Sequence, residues 1–373
     1  MAWKRAPLAA CVVTLASTLL AQQATAPARA WPQFRGSAHL TGVSASAMPA
    51  RLSLRWEVDT GEMIESSAAI ADGVVYVGNA AGVLLAVDLD TGKVVWRYQA
   101  AAEGIAESSP AVAAGTVFIG DLSGTLHAVD TATGSARWRY KTEGEIKSSP
   151  VVVDDRVLIG SYDTSLHALA VADGRLLWKY RTNNYVHATP AIVDGVAYFG
   201  GCDEVFHGVR VADGREHLSF AAGAYTAASP VVDGARAVFG TFDNEVLAID
   251  LTDGRLVWRY AHPERQFPFY SSAAVSGTRV FVGGRDKLVH ALDLATGREL
   301  WTFPTRARVE SSPAVGGGRV YVGSNDGRFF VLDAETGKEL WQFESGAAFS
   351  ASPALAEGRV VIGDQDGRLY CFG

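Results

Sequence analysis

A hydroxyl residue ending an S-S-P-like element recurs eight times in this chain, at Ser67, Ser109, Ser149, Thr189, Ser229, Ser272, Ser312 and Ser352. The intervals are 42, 40, 40, 40, 43, 40 and 40 residues. A tryptophan recurs in step, at Trp96, Trp138, Trp178, Trp258, Trp301 and Trp341, with Leu218 in its place in the fourth unit. No other feature restricts the fold as much. A unit of about 40 residues cannot bury its apolar face alone, so neighbouring units must stack to make a core.

Each unit reads as four strands. In the seventh they are expected over 311–315, 319–323, 328–332 and 339–343, with Asn325-Asp326-Gly327 and Glu335-Thr336-Gly337 as turns. Those turn residues accept the positive φ of tight hairpins. A row of such sheets has two exposed edges, and closing it into a ring removes both. The last unit stops at Gly373 before its closing strand, while Trp56 in LRWEV has no unit ahead of it. The pattern therefore predicts an all-β, eight-bladed β-propeller of four-stranded antiparallel blades, with an N-terminal strand completing the last blade. Residues 51–373 form the propeller in this reading, and 31–50 are an N-terminal extension.

Residues 1–30 read as a signal peptide. Lys4 and Arg5 precede an apolar run over 8–21, and Ala28-Arg29-Ala30 offers small residues for cleavage before Trp31. Ala24-Thr25-Ala26 is a second cleavage option. Leu8-Ala9-Ala10-Cys11 resembles a lipoprotein box, but its apolar stretch is short, so a cleaved, unlipidated chain is expected. The expected location is periplasmic or secreted, and no other apolar run is long enough to span a bilayer. Losing the leader shifts the formal net charge from −7 to about −10. Such an acidic, unclustered surface argues against nucleic acid and anionic membranes as partners.

The recurring side chains have structural explanations. An indole buries roughly 200 Å², so one per blade junction suits packing. Asp88, Asp130, Asp250, Asp293 and Asp333 are expected to accept backbone N–H groups of the turns that follow them. His127, His167, His207 and His290 share a repeat position that holds Leu85, Leu247, Phe330 or Tyr370 in other blades. That substitution pattern predicts partly buried packing residues, too far apart to share a metal. Asp364–Gly367 and Ser324–Gly327 look like hairpin turns more than calcium loops. No G-x-S-x-G, H-E-x-x-H or C-x-x-C element is present. No catalytic residue and no metal ligand is assigned.

Taken together, SSPAV, VYVGS, the D-G turn, LDA and TGKELW resemble the pyrroloquinoline-quinone-type propeller repeat, and Trp31–Gly36 (WPQFRG) resembles a segment that often precedes it. Two branches of that family bear on function. Quinoprotein dehydrogenases imply a bound quinone, Ca²⁺, an aspartate base and, in many members, a disulfide between adjacent cysteines. The non-catalytic branch, which includes the propeller lipoprotein of the outer-membrane β-barrel assembly machinery, implies binding of a protein partner. This chain has no adjacent cysteines and no long insertions between blades. Cys202 and Cys371 fall in opposite blades and are expected to remain free thiols. The resemblance thus implies an exported, non-catalytic binding scaffold with an envelope protein partner and no cofactor. A small quinoprotein dehydrogenase using the quinone and Ca²⁺, and a sensor or carrier of a small molecule at the channel mouth, are the alternatives.

A propeller binds at its channel mouth and on the loops around it. The residue two before each aligned Ser is expected there: Glu65, Glu107, Lys147, His187, Ala227, Tyr270, Glu310 and Ser350. This ladder varies, and variation on a regular frame is where specificity resides. The loop Ala261–Tyr270 is the longest connection and carries Arg265, Phe267, Phe269 and Tyr270. Aromatic and arginine side chains are enriched at binding hot spots. Tyr185, Arg308 and Phe349 are expected on neighbouring loops.

Overall fold

The computed structural model describes Met1 and residues 30–373, so the expected leader, with Cys11 and its lipid box, lies almost wholly outside the described residues. Among the described residues every regular element is a strand, and no helix is long and apolar enough to cross a membrane. Eight sheets surround a central channel. Blade 1 comprises Ala69–Ala71, Val74–Gly78, Val83–Asp88 and Val94–Gln99, named A to D from the channel outwards. The A strands are shorter than expected. In blade 7 the strand is Ala314–Gly316, because Ser311 and Ser312 belong to the mouth of the channel rather than to the ladder.

Closure occurs where the repeat arithmetic places it. Leu54–Asp59 pairs antiparallel with Arg368–Phe372, matching Trp56 to Cys371 and Val58 to Leu369. Ser53 and Gly373 exchange backbone hydrogen bonds at 3.2 and 3.0 Å, so the strand at Leu54–Asp59 and the strand at Arg368–Phe372 share one sheet.

Six indoles each tie their blade to the next. Trp56, Trp96, Trp138, Trp178, Trp258 and Trp301 donate Nε1–H to the carbonyls of Leu89, Thr131, Val171, Val211, Leu294 and Ala334. The ring lies on the glycine of that blade's T-G or D-G turn. At Gly174, with φ +73°, an added Cβ would come within 2.5 Å of the Trp138 ring. Gly174→Ala is therefore expected to cost about 2–4 kcal/mol through backbone strain and overpacking. Denaturant unfolding of the purified chain measures this, and an unchanged midpoint would show that the indole yields freely. The turn aspartates behave as expected: Asp333 accepts N–H from Glu335 and Thr336 at 3.1 and 2.8 Å.

The four repeat histidines are more than packing. They are fully buried, not partly. Each pairs through Nε2 with an aspartate of its own blade, namely Asp121, Asp163, Asp203 or Asp286. Each Nδ1 meets the hydroxyl of Tyr98, Tyr140, Tyr180 or Tyr260 from strand D of the preceding blade, at 2.9–3.2 Å. Tyr–His–Asp chains thus bridge four blade junctions. They remain separate, and no group of metal-holding side chains forms among the described residues.

The N-terminal extension is part of the ring. Trp31 pairs with Ile70 of blade 1, and the chain then meets the A strands in turn. The N–H groups of Val112, Ile192, Val232, Val275 and Val315 donate to the carbonyls of Pro32, Ala38, His39, Thr41 and Gly42. Val43–Ser44 adds a parallel fifth strand to blade 7. Arg35 is buried, with its guanidinium donating to Ala273 O and Ser312 O at 3.1 Å each. Burial lowers its pKa to about 9, which leaves it charged at neutral pH. The extension therefore crosses the channel and forms its floor.

Candidate functional site

The aligned hydroxyls close a second ring inside the first. The backbone N–H of Ser67 donates to Ser109 Oγ at 2.9 Å, Ser109 donates to Ser149, and the series continues blade by blade. It ends where Ser352 N–H donates to Ser67 Oγ at 2.9 Å. A hydroxyl is needed at this position because a buried backbone N–H without a partner is costly.

Above this ring, Glu65, Glu107, Lys147, His187, Tyr270 and Glu310 line a cavity of about 80 Å³, with Phe34 of the N-terminal extension at its base. The predicted ladder thus converges. Tyr270 reaches across the channel from blade 6, donating to Glu107 Oε1 of blade 2 at 2.8 Å and meeting His187 Nε2 of blade 4 at 3.1 Å. His187 Nε2 also lies 2.8 Å from Glu107 Oε2, while its Nδ1 pairs with Tyr162 Oη at 2.8 Å. Burial pushes the Glu107 carboxyl up, but the hydrogen bond and charge of His187 and the Tyr270 hydroxyl together hold it below the usual range. Burial and the charge of Glu107 push the Tyr270 phenol well above its usual range, so it stays a donor. Glu65 is raised by burial and by Glu107.

The remaining predicted residues divide. Tyr185 is exposed and stacks on Tyr162, with ring centroids 4.5 Å apart. Arg265 and Phe267 are exposed on their loop, and Arg265 donates to Asp286 O at 3.1 Å. Arg308 stands 3.4 Å from Glu310, which also pairs with Arg285 at 2.7 Å. Phe269 is a correction. It is 1% exposed and belongs to the core between blades 5 and 6, packed against Tyr260 and His290. Phe349 is buried in the same way. Both fill the space left by a strand-B glycine of the preceding blade, Gly240 and Gly323, where an added Cβ would meet them at 2.5–2.6 Å. Ile146, Val186 and Val309 occupy the same place against Gly120, Gly160 and Gly283. The sequence signal was available, since this position is apolar in nearly every unit.

A second ladder at the mouth was not anticipated. Residues two after a strand-B glycine reach the mouth ladder: Tyr162, Phe242 and Arg285 contact His187, Tyr270 and Glu310 of the next blade, and Asn325 donates to Glu310 of its own blade. Arg285 lies 4.8 Å above the Tyr270 ring. These positions vary between units as the first ladder does, which was the signal to follow. Tyr185, Tyr225, Phe242 and Phe267 are all exposed on this face, on loops of blades 4, 5 and 6. Cys202 and Cys371 are free thiols. Burial raises the Cys371 thiol to about 12, so it is not a reactive thiolate.

Comparison with known proteins matches the chain to a family described as outer membrane protein assembly factor BamB, over residues 49–113, 102–218, 187–277 and 242–372. No curated protein matches the sequence. Among solved structures, BamB from Moraxella catarrhalis shares 18% identity with a TM-score of 0.73, covering 86% of this chain and 99% of that one. A europium-containing methanol dehydrogenase shares 15% with a TM-score of 0.79, covering 93% and 98%. A quinohemoprotein alcohol dehydrogenase from Comamonas testosteroni shares 14% with a TM-score of 0.79, covering 92% and 80%. At these identities the likeness is one of fold, and the fold hosts both binding proteins and oxidoreductases.

Proposed function

The chain belongs to the outer membrane protein assembly factor BamB family, and from that premise we propose that it is an exported, non-catalytic scaffold that docks a cell-envelope protein on its channel-mouth face. The observation that carries this reading is the arc of exposed Tyr185, Tyr225, Phe242 and Phe267 on one face, beside Arg265 and Arg308. Exposed aromatics flanked by arginine are the side chains that anchor protein interfaces.

The mouth residues do not fit the quinone of the oxidoreductase branch. Pockets that enclose molecules of that size are typically roughly 300–1,000 Å³, against about 80 Å³ here. The quinone carries three carboxylates, and the cavity already presents those of Glu65, Glu107 and Glu310. Among the described residues no acidic or histidine cluster suits Ca²⁺ beside it.

The reading is tested by tagging the chain and recovering its envelope complex. Arg265→Glu combined with Phe267→Ala is expected to reduce the recovered partner at least about tenfold, as loss of interface anchors does. The unfolding midpoint should not move, because both side chains are exposed. A complex recovered undiminished with this double variant counts against the mouth face as the docking surface.

A further inference from the structure

The charged groups at the channel mouth mostly pair with one another. Glu107 is satisfied by His187 and Tyr270. Glu310 is satisfied by Arg285, Arg308 and Asn325. Glu65 of blade 1 and Lys147 of blade 3 are different. Both line the same cavity, yet among the described residues neither side chain makes a hydrogen bond or an ion pair, to each other or to anything else. Lys147 rests over the Tyr162 ring, its ammonium 5.5 Å from the centroid. A negative and a positive group thus face one small space without closing on each other.

The rest of the cavity is consistent in its chemistry. Its wall is the ring of Ser and Thr hydroxyls, whose oxygens accept backbone N–H groups from the neighbouring blade. Most of those O–H groups are left to donate inwards; Ser109 instead donates to Glu107 O at 3.3 Å. Its base is Phe34, an apolar ring that does not compete for polar groups. The volume of about 80 Å³ is about half that of a cavity known to admit benzene, so it encloses a molecule of about five heavy atoms, or the head of a longer one.

We propose that this cavity binds a small amino carboxylate, a molecule with one ammonium and one carboxylate group, of which free α-amino acids are the simplest class. The ammonium sits at Glu65, and the carboxylate meets Lys147 and the hydroxyl ring. A side chain projects outwards through the mouth. Burial and the charge of Glu107 raise the Glu65 carboxyl, with Lys147 opposing them, so an incoming ammonium would supply the close counter-charge it lacks. The site does not rest on the scaffold reading, because neither Glu65 nor Lys147 belongs to the aromatic arc.

The test is calorimetric titration of the processed chain with glycine, alanine, β-alanine and γ-aminobutyrate, alongside methylamine, acetate and triglycine. At least one amino carboxylate is expected to bind with a Kd of about 1 mM or tighter. Methylamine and acetate, each with half of the charge pair, are expected to bind at least about tenfold more weakly. Triglycine separates a free amino acid from a peptide terminus, because its charges are too far apart for both contacts. Glu65→Gln and Lys147→Gln should each weaken binding about tenfold or more, while Leu340→Ala, exposed on the outer strand of blade 7, leaves it unchanged. The proposal is overturned if no amino carboxylate binds at about 10 mM. It is equally overturned if acetate, methylamine or triglycine binds as well as the best of them, or if both charge variants bind like the parent chain. The wild-type ligand series stands even if a variant fails to fold. A negative result there leaves the Arg265/Phe267 docking test untouched.

Discussion

Replacing Trp56 by alanine is expected to cost about 3–5 kcal/mol, the usual penalty for emptying a buried tryptophan site. The equivalent change at Trp341 should cost clearly less. Trp56 is nearly buried and donates to Leu89 O at 2.7 Å, with its ring on Gly92 of blade 1. Its strand is also the one that completes blade 8, so this indole fastens the closing seam to blade 1. Trp341 is only partly buried and has no following turn to cover, because blade 8 takes its outer strand from Leu54–Asp59 and so lacks a turn between its third and fourth strands. It packs on Phe372 and Phe343 instead. Denaturant unfolding of the two variants decides the matter. Equal losses would mean that the seam is no more critical than any other blade junction.

A comparable loss, about 3–5 kcal/mol, is expected for His127→Leu, because it removes the main partner of a buried carboxylate. Asp121 has no exposed side-chain surface, and its Oδ2 lies 2.7 Å from His127 Nε2. The chain contains its own rescue. Blade 1 holds Asn79 and Leu85 at the corresponding places, and Asn79 Oδ1 accepts the N–H of Val83 as Asp121 Oδ1 accepts that of Thr125. The triple change Tyr98→Phe, Asp121→Asn and His127→Leu should therefore recover most of the stability lost by the single one. Acid unfolding supplies a second readout. Burial raises Asp121, Asp163 and Asp203, but the histidine hydrogen bonds and their other partners outweigh it, and all three carboxyls titrate below the usual range. Groups depressed in this way stabilise the fold fully above the unfolded Asp pKa of about 3.9 and lose that contribution as the pH falls further. The triple variant should show a shallower loss below about pH 4 than the parent chain. An identical acid limb would mean that the Asp121 triad carries little of the pH dependence.

Much of this was legible in the residues. The tyrosines of strand D precede histidine-bearing blades, at Tyr98, Tyr140, Tyr180 and Tyr260, whereas Phe220, Phe303, Phe343 and Val58 precede blades with Leu247, Phe330, Tyr370 and Leu85. The pairing was in view but had no meaning until strand D of one blade was known to touch strand C of the next. The same holds for Phe269. Read as part of an exposed loop, it looks like a hot spot; read in register with Ile146 and Val186, it is a core residue. The loop's length and aromatic content concealed a position that the repeat had already assigned.

The blade number, the turn chemistry, the placing of an indole at the blade junctions and the seam could be read from the chain alone. They depend on contacts within a unit or with its immediate neighbour, and such contacts recur at a fixed spacing that a sequence displays. The path of the N-terminal extension and the cavity above it were decided only by the closed ring. Arg35 meets Ser312 across 277 residues, and Tyr270 meets Glu107 across 163. Each of these contacts occurs once, and no periodicity announces it. They form because eight sheets, once closed, bring the inner end of every blade to a single axis.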